Sequence, residues 1–106
     1  MKVVKEQFLK QIKEIVLKEE PHAKIYLYGS RARGTQKRNS DWDLLILLDK
    51  PKLTFDDETK VAYPLYDLEF ATGQMISPMI YTETEWNTKL KVTPYYTNVM
   101  KDGILL

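Results

Sequence analysis

The chain has 106 residues, 43% of them hydrophobic and 29% charged, which is typical of one globular domain and excludes fibrous, low-complexity and disordered classes. Sixteen basic and fifteen acidic residues leave a formal net charge of +1, so the overall charge carries no strong nucleic-acid signal. The absence of cysteine and the single histidine exclude disulfides, thiolate zinc sites and histidine-based metal sites, so any metal site must be built from carboxylates.

The N-terminal part of the chain predicts a helix and a short strand. It lacks the apolar core of a secretory signal, and no apolar run approaches the roughly 20 residues of a membrane span, so we expect a cytoplasmic protein without membrane contact. Apolar side chains in residues 4–18 recur with the period of an amphipathic helix, which Pro21 ends. Residues 24–28 predict a strand that Gly29 stops, followed by a loop to about Ser40.

The middle of the chain predicts a buried strand and a long helix. Residues 42–48 are almost continuously apolar, which is typical of a strand covered on both faces at the centre of a sheet. Thr54 suits the start of a helix that runs to about Phe70, with Gly73 as a left-handed cap. Pro64 is expected to kink or split this helix.

The C-terminal part predicts a third strand and a last helix. Residues 74–81 have the composition of a strand, in which Pro78 indicates an edge position or a bulge because proline cannot donate to the ladder. Residues 82–85 have the pattern of a capping box, and residues 93–100 predict a helix that Gly103 ends.

The order of these elements predicts a single α+β domain over residues 1–106. The small sheet would have helices packed mainly on one face. Three strands give only a shallow core, so we expect a partner chain or a homodimer to cover apolar surface that the domain leaves exposed.

A glycine turn and two acids form the pattern that carries chemistry. Gly29 and Ser30 follow the first strand, where the glycine backbone can come close to a phosphate, successive N–H groups can form an anion-binding nest, and the Ser30 hydroxyl adds a donor. Asp41 and Asp43 are two residues apart at the entrance of the central strand, so both carboxylates should project from one face. Two converging carboxylates suit magnesium that is also bound by substrate phosphates.

Two arginines lie directly after the glycine turn. Arg31 and Arg33 could offset the charge of a bound triphosphate. The same stretches are also compatible with a simple turn and a solvated strand entrance. Gly-Ser, ten residues and Asp-x-Asp together should nevertheless occur by chance in only about one chain of this length in a thousand, and we favour the functional reading.

This spacing resembles the signature of the DNA polymerase beta superfamily of nucleotidyltransferases. Residues 29–34 and 40–45 are more narrowly similar to the minimal nucleotidyltransferase group, which includes relatives of antibiotic nucleotidyltransferases and partners of HEPN-domain toxins. The resemblance implies a nucleotidyltransferase-like fold with a mixed sheet. It further implies a nucleoside triphosphate at Gly29 and Ser30, and magnesium at Asp41 and Asp43, as two ions in the active form.

The resemblance also implies a third carboxylate on a later strand, which helps to bind metal or accepts the proton of the acceptor hydroxyl. The expected strand, residues 74–81, contains no acid. Asp67 and Glu69 lie on the helix that we predict before it, and either could substitute only if that boundary is wrong or the helix end faces the site. The absence of a third acid from this strand is expected to affect turnover more than nucleotide binding, because two aspartates can still hold a metal triphosphate.

Other conspicuous residues have simpler structural explanations. His22 lies in the turn between the first helix and the first strand, far in sequence from the aspartates, and we interpret it as a surface residue. An aromatic set could form a stacking or partner surface, although core and rim packing is the interpretation we favour. This set comprises Tyr63, Tyr66, Trp86, Tyr95 and Tyr96.

Two functions remain open from the sequence. The first is magnesium-dependent transfer of a nucleoside monophosphate from a nucleoside triphosphate, with ATP as the expected donor, to a hydroxyl acceptor. The second is a catalytically weak or inactive antitoxin-like module that binds a HEPN-type partner protein, which the missing third acid favours.

Overall fold

The computed structural model describes residues 4–106. Residues 1–3, part of the N-terminal segment that is predicted to lack a secretory signal, lie outside the described residues. Helices and strands follow one another with short connections. In chain order they are α1 (Lys5–Glu19), β1 (Lys24–Tyr28), α2 (Ser30–Arg33), β2 (Trp42–Leu48), α3 (Phe55–Thr72), β3 (Ile76–Thr82), α4 (Glu83–Asn87), a 3-10 turn (Leu90–Val92), α5 (Pro94–Asp102) and β4 (Ile104–Leu105). None of the helices in this range is long and apolar enough to cross a membrane.

The four strands form one mixed sheet in the order β3-β2-β1-β4. β1 pairs antiparallel with both β2 and β4, whereas β2 and β3 run parallel. β2 is central, and every residue of it except Asp43 is buried, which explains its continuous apolar sequence. The predicted α+β class with a small mixed sheet is confirmed.

The sheet has one strand more than the three that we predicted. Ile104 and Leu105 pair with Leu27 and Tyr26 after Gly103 ends α5. A side chain at Gly103 would collide with the carbonyl oxygen of Val99, so the glycine lets the chain leave the helix and reach β1. The added strand covers the edge of β1 that a three-stranded sheet would leave free.

The two long helices pack on one face of the sheet and form the main core with it, so the helices do lie mainly on one face. This core buries residues of both helices and of three strands: Phe8, Ile12, Val16, Ile25, Leu27, Trp42, Leu44, Ile46, Leu48, Val61, Leu65 and Ile76. On the opposite face, α4 and α5 cover a smaller cluster built on Leu45, Leu47, Trp86 and Val99. The second face is therefore only partly covered, and it leaves room for a site.

Caps fix both ends of α3, through side chains at its start and through backbone at its end. Thr54 Oγ1 accepts from the Asp57 backbone N–H at 3.1 Å, and Asp57 Oδ2 accepts from the Thr54 N–H at 3.0 Å. Gly73 takes the left-handed conformation, with φ of 73°, at the other end. Pro64 lies inside this helix without splitting it, and Pro78 lies on the edge strand β3, as its missing donor predicted.

The start of α3 is also tied to the end of α1. Lys50 Nζ lies 2.7 Å from Asp57 Oδ1 and 3.0 Å from Glu20 Oε2. The hydrogen bond with Lys50, and those with Thr54, lower the pKa of Asp57 to about 2. One carboxylate therefore caps α3 and joins the two helices that cover the core.

Replacing Thr54 with alanine should destabilise the fold by about 1 kcal/mol, because the Asp57 N–H loses its acceptor at the helix start. Urea unfolding followed by circular dichroism measures the change. Thr59→Ala is the matched control, since the Thr59 hydroxyl only donates to the Asp56 carbonyl within the helix, and this variant should stay within about 0.5 kcal/mol. Equal losses in the two variants would contradict the capping argument.

Candidate active site

The turn after β1 places its backbone against a carboxylate of β2. Gly29 has φ of 74° and ψ of −159°, a conformation that residues with side chains rarely adopt. A Cβ at Gly29 would collide with the Asp43 carboxylate. Glycine is therefore needed at this position for two reasons, and the two halves of the motif meet in space.

The same turn begins the short helix α2, which we had predicted as part of a loop. The Gly29 carbonyl accepts from the N–H groups of Ala32 and Arg33, each at 3.1 Å, and Gly34 ends the helix in the left-handed conformation. The first N–H groups of a helix have no partner within it, so those at the start of α2, directly after the turn that approaches Asp43, are potential phosphate donors.

Strand pairing brings Asp41, Asp43 and Ser77 to the same side of the sheet. Asp43 is opposite Tyr28 in the antiparallel ladder and beside Ser77 in the parallel one. Asp41 directly precedes β2 and is exposed, and the Ser77 hydroxyl donates to Asp41 Oδ2 at 3.2 Å. The structure thus brings the two predicted aspartates together and adds a hydroxyl that the sequence did not single out.

The electrostatics of this group centre on Asp43. Partial burial raises the pKa of the Asp43 carboxyl, the negative charge of Asp41 raises it further, and the positive charge of Arg33 acts in the opposite direction. Two carboxylates that share a site and repel one another are a favourable environment for a cation.

The two arginines of the motif lie in different surroundings. The guanidinium carbon of Arg31 is 4.1 Å from the centroid of the Trp42 ring, and its Nε donates to the Ser40 carbonyl at 2.9 Å. Arg31 therefore contacts both the loop before Asp41, at the Ser40 carbonyl, and the start of β2, at Trp42. Arg33 is half-exposed, and its Nη1 lies 3.9 Å from Asp102 Oδ2, so it has fewer competing contacts.

For a ligand phosphate, Arg33 is consequently the better placed of the two. The contacts of Arg31 are with protein groups, and its expected role at the phosphates stays a prediction.

No nearby acid completes the pair of aspartates. Glu69 Oε2 accepts from the backbone N–H of Ile76 at 2.7 Å, and Asp67 is exposed on α3, which packs on the opposite face. Across residues 4–106 no group of three or more acidic, histidine or cysteine side chains could hold a metal ion. The donor set of two carboxylates suits magnesium that also takes oxygen ligands from a triphosphate.

An aromatic pair borders the site on its other side. The Tyr95 hydroxyl of α5 donates to the Tyr28 hydroxyl at 3.0 Å, and burial raises the pKa of both phenols, which remain neutral. Tyr28 is the ladder partner of Asp43, so this pair ties α5 to the strand end beside the aspartates. Only the register between β1 and β2 could have revealed Tyr28, and only that between β2 and β3 could have revealed Ser77.

Several solved structures are similar to this chain, and three of them are described. A crystal structure of a toxin-antitoxin with AMP-PNP has a TM-score of 0.61 and 23% identity over 91% of this chain and 69% of its own. Two mutants of the toxin-antitoxin MntA-HpeT have TM-scores of 0.56 and 0.57 and identities of 19% and 20%, and this chain covers 72% of each. They span 99% and 97% of this chain. At these identities the likeness establishes the fold.

No curated protein matches the chain significantly. The model of the nucleotidyltransferase domain family matches residues 9–97, which include the glycine turn, both aspartates and Ser77. Because this match covers most of the chain and agrees with the fold and with the motif, the chain belongs to the nucleotidyltransferase domain family.

Proposed function

We propose that the protein is a magnesium-dependent nucleotidyltransferase that transfers a nucleoside monophosphate from a nucleoside triphosphate to a hydroxyl group of a second molecule. ATP is the expected donor and the cytoplasm the expected location. The observation that carries the proposal is the close approach of the Gly29 backbone to the Asp43 carboxylate. Through this approach the turn that offers phosphate donors lies next to the carboxylate pair, in a space that a side chain at position 29 would fill.

Each residue of the site has a role in this reaction. Asp41 and Asp43 supply the carboxylate ligands for magnesium, and Gly29 and Ser30 hold the triphosphate through backbone and hydroxyl donors. When held there, magnesium would neutralise phosphate charge and help to position the reacting groups. Arg33, on the rim, offsets the remaining negative charge.

The chemistry is a single displacement. The acceptor oxygen forms a bond to the α-phosphorus while its proton passes to solvent, the bond between the α-phosphorus and the bridging oxygen to the β-phosphate breaks, and pyrophosphate leaves. Preorganised charge and positioning supply most of the acceleration for such a transfer, and this chain offers both at the strand entrance.

A second candidate function, an antitoxin-like module that binds a HEPN-type partner protein, is favoured by a different observation. Four aromatic residues of α3, namely Phe55, Tyr63, Tyr66 and Phe70, are between 45% and 94% exposed and form what we call the α3 aromatic surface. A groove of about 410 Å³ runs between this surface and β3, with Met79 on its other wall. Exposed apolar patches of this kind mark protein interaction sites.

The two functions are compatible with one another. The similar structures are described as toxin-antitoxin, one of them with AMP-PNP, which supports both a protein partner and a nucleotide. In the combined arrangement a partner docks on the α3 aromatic surface and presents a hydroxyl to the carboxylate pair as acceptor. A homodimer through the same surface is the competing arrangement.

Asp43→Asn should abolish transfer and weaken magnesium-dependent ATP binding by at least about tenfold, or 1.4 kcal/mol, because a metal ligand is lost. Isothermal titration calorimetry with and without magnesium, together with pyrophosphate release, measures both effects. Asp49→Asn is the matched control, since Asp49 is an exposed carboxylate directly after β2 and carries the same charge change. Retention of transfer by the Asp43 variant would sink this mechanism.

The raised pKa of Asp43 gives the site a defined pH dependence. Magnesium binds the ionised carboxylate, so metal-dependent ATP binding should decline on acidification through a pKa above the ordinary 3.8. The same shift means that the folded state holds this proton more tightly than the unfolded state. Stability from this group is therefore highest below pH 3.8 and falls as pH rises through the folded pKa.

Carboxyl-carbon NMR titration gives the pKa of Asp43 directly, and calorimetry at several pH values gives the binding. In Asp43→Asn the contribution of this group to the pH dependence of stability should disappear. A pKa of Asp43 at or below 3.8 would contradict the electrostatic description.

The partner surface has its own test. The double variant Tyr66→Ser and Phe70→Ser should weaken binding to a HEPN-type partner by at least about tenfold, because buried aromatic anchors dominate interface energies, while ATP binding stays unchanged. Phe70 is 94% exposed, so the fold should tolerate the change. Lys60→Ser is the control on the same helix. If sedimentation shows loss of a homodimer instead, the surface joins two copies of this chain.

A further inference from the structure

Ser77 lies beside both aspartates on the edge strand of the sheet. In the parallel register between β2 and β3 it is the partner of Asp43, so the two side chains project to the same face. Its hydroxyl donates to Asp41 Oδ2 at 3.2 Å. Among the side-chain hydrogen bonds of the described residues, no other one reaches either aspartate.

This hydrogen bond has a direction that matters for metal binding. A hydroxyl that donates its proton to Asp41 fixes the orientation of that carboxylate and stabilises its charge. It adds no negative charge of its own. The number of charged ligands sets how tightly a site of hard oxygen donors holds a divalent cation, so a neutral group at this position leaves the pair with a low affinity for free metal.

The neighbouring acids do not change this balance. The Glu69 carboxylate is held by the Ile76 backbone N–H, and it belongs to α3 on the opposite face of the sheet. The Asp102 carboxylate lies 3.9 Å from Nη1 of Arg33, with which it pairs. Ser77 is thus the position of β3 from which a side chain contacts the carboxylate pair.

We propose that Ser77 is a positioning residue that orients Asp41 and, because it is neutral, limits the charged ligands of the site to two carboxylates. Divalent metal then binds firmly only when a triphosphate brings further oxygen ligands. The inference rests on the proposed function and specifies the order of assembly. Free protein holds metal weakly, and metal and triphosphate enter together. Metal-free resting protein and metal-loaded working protein then interconvert with the supply of nucleotide.

Ser77→Asp tests the position directly. A carboxylate there should bring a third charged oxygen donor to the pair and tighten Mn²⁺ binding in the absence of nucleotide by at least about tenfold, as measured by calorimetry. Ser77→Asn introduces a side chain of the same shape as that of Ser77→Asp but without its charge. It should bind Mn²⁺ no more tightly than the natural chain. Met79→Asp lies on the same strand and face, beside Leu45, and controls for charge alone. Equal tightening in Ser77→Asp and Met79→Asp overturns the proposal.

The positioning role is tested with the hydroxyl itself. Ser77→Ala should raise the magnesium concentration needed for half-maximal ATP binding by about tenfold, and Ser77→Thr, which keeps the hydroxyl, should restore the natural value. A purely structural role would not respond to the hydroxyl in this way. An unchanged magnesium requirement in Ser77→Ala overturns the positioning role.

Thermal unfolding separates folding from binding. Ser77→Asp places three like charges together, so its midpoint should fall without metal and rise more than that of Ser77→Asn when Mn²⁺ is added. Failure of this inference and failure of the proposed function give different results. If the natural chain binds Mg·ATP and Ser77→Asp gains no Mn²⁺ affinity, the inference alone fails. If Ser77→Asp gains affinity and no chain binds Mg·ATP, the proposed function fails.

Discussion

The contact between the Gly29 backbone and the Asp43 carboxylate is the constraint on which the rest of the site depends. It holds only while β1 and β2 keep the register that places Tyr28 opposite Asp43. That register is fixed from the other face, where Leu27 and Leu44, also ladder partners, are completely buried against the helices. A shift of either strand by one residue would turn the leucine of that strand away from this core and separate the glycine turn from the carboxylate, so the packing and the site geometry depend on the same register.

The two faces of the sheet divide the requirements of folding and function. One face carries the main core under α1 and α3, while the other holds the aspartates and is covered only in part by α4 and α5. The alternation of side chains along β2 makes this possible within a single strand. Asp43 faces the open side, and its neighbours Trp42 and Leu44 are buried on the closed side. The buried core on one face can therefore stabilise a sheet whose other face holds two carboxylates that repel one another.

Much of the fold could be predicted because local rules and long-range packing agree. The bounds of β1 and β2, the caps of α3 and the edge position of Pro78 follow from periodicity, capping chemistry and the missing donor of proline. β4 has two residues, too few for any period, and α2 is a single turn within a glycine-rich loop. Ser77 escaped notice because its neighbours come from strand pairing, and a single serine in a strand carries no pattern.

Pro78 has a consequence for the behaviour of the chain in solution. β3 is an edge strand next to an aromatic surface, which is the combination that invites strands of other molecules to add and aggregate. A proline at the middle of this edge interrupts the row of backbone donors that an added strand needs. The surface beside it remains available for recognition through side chains, while growth by sheet extension is blocked. A single pyrrolidine ring thus leaves the proposed partner surface exposed without offering a continuous edge for polymerisation.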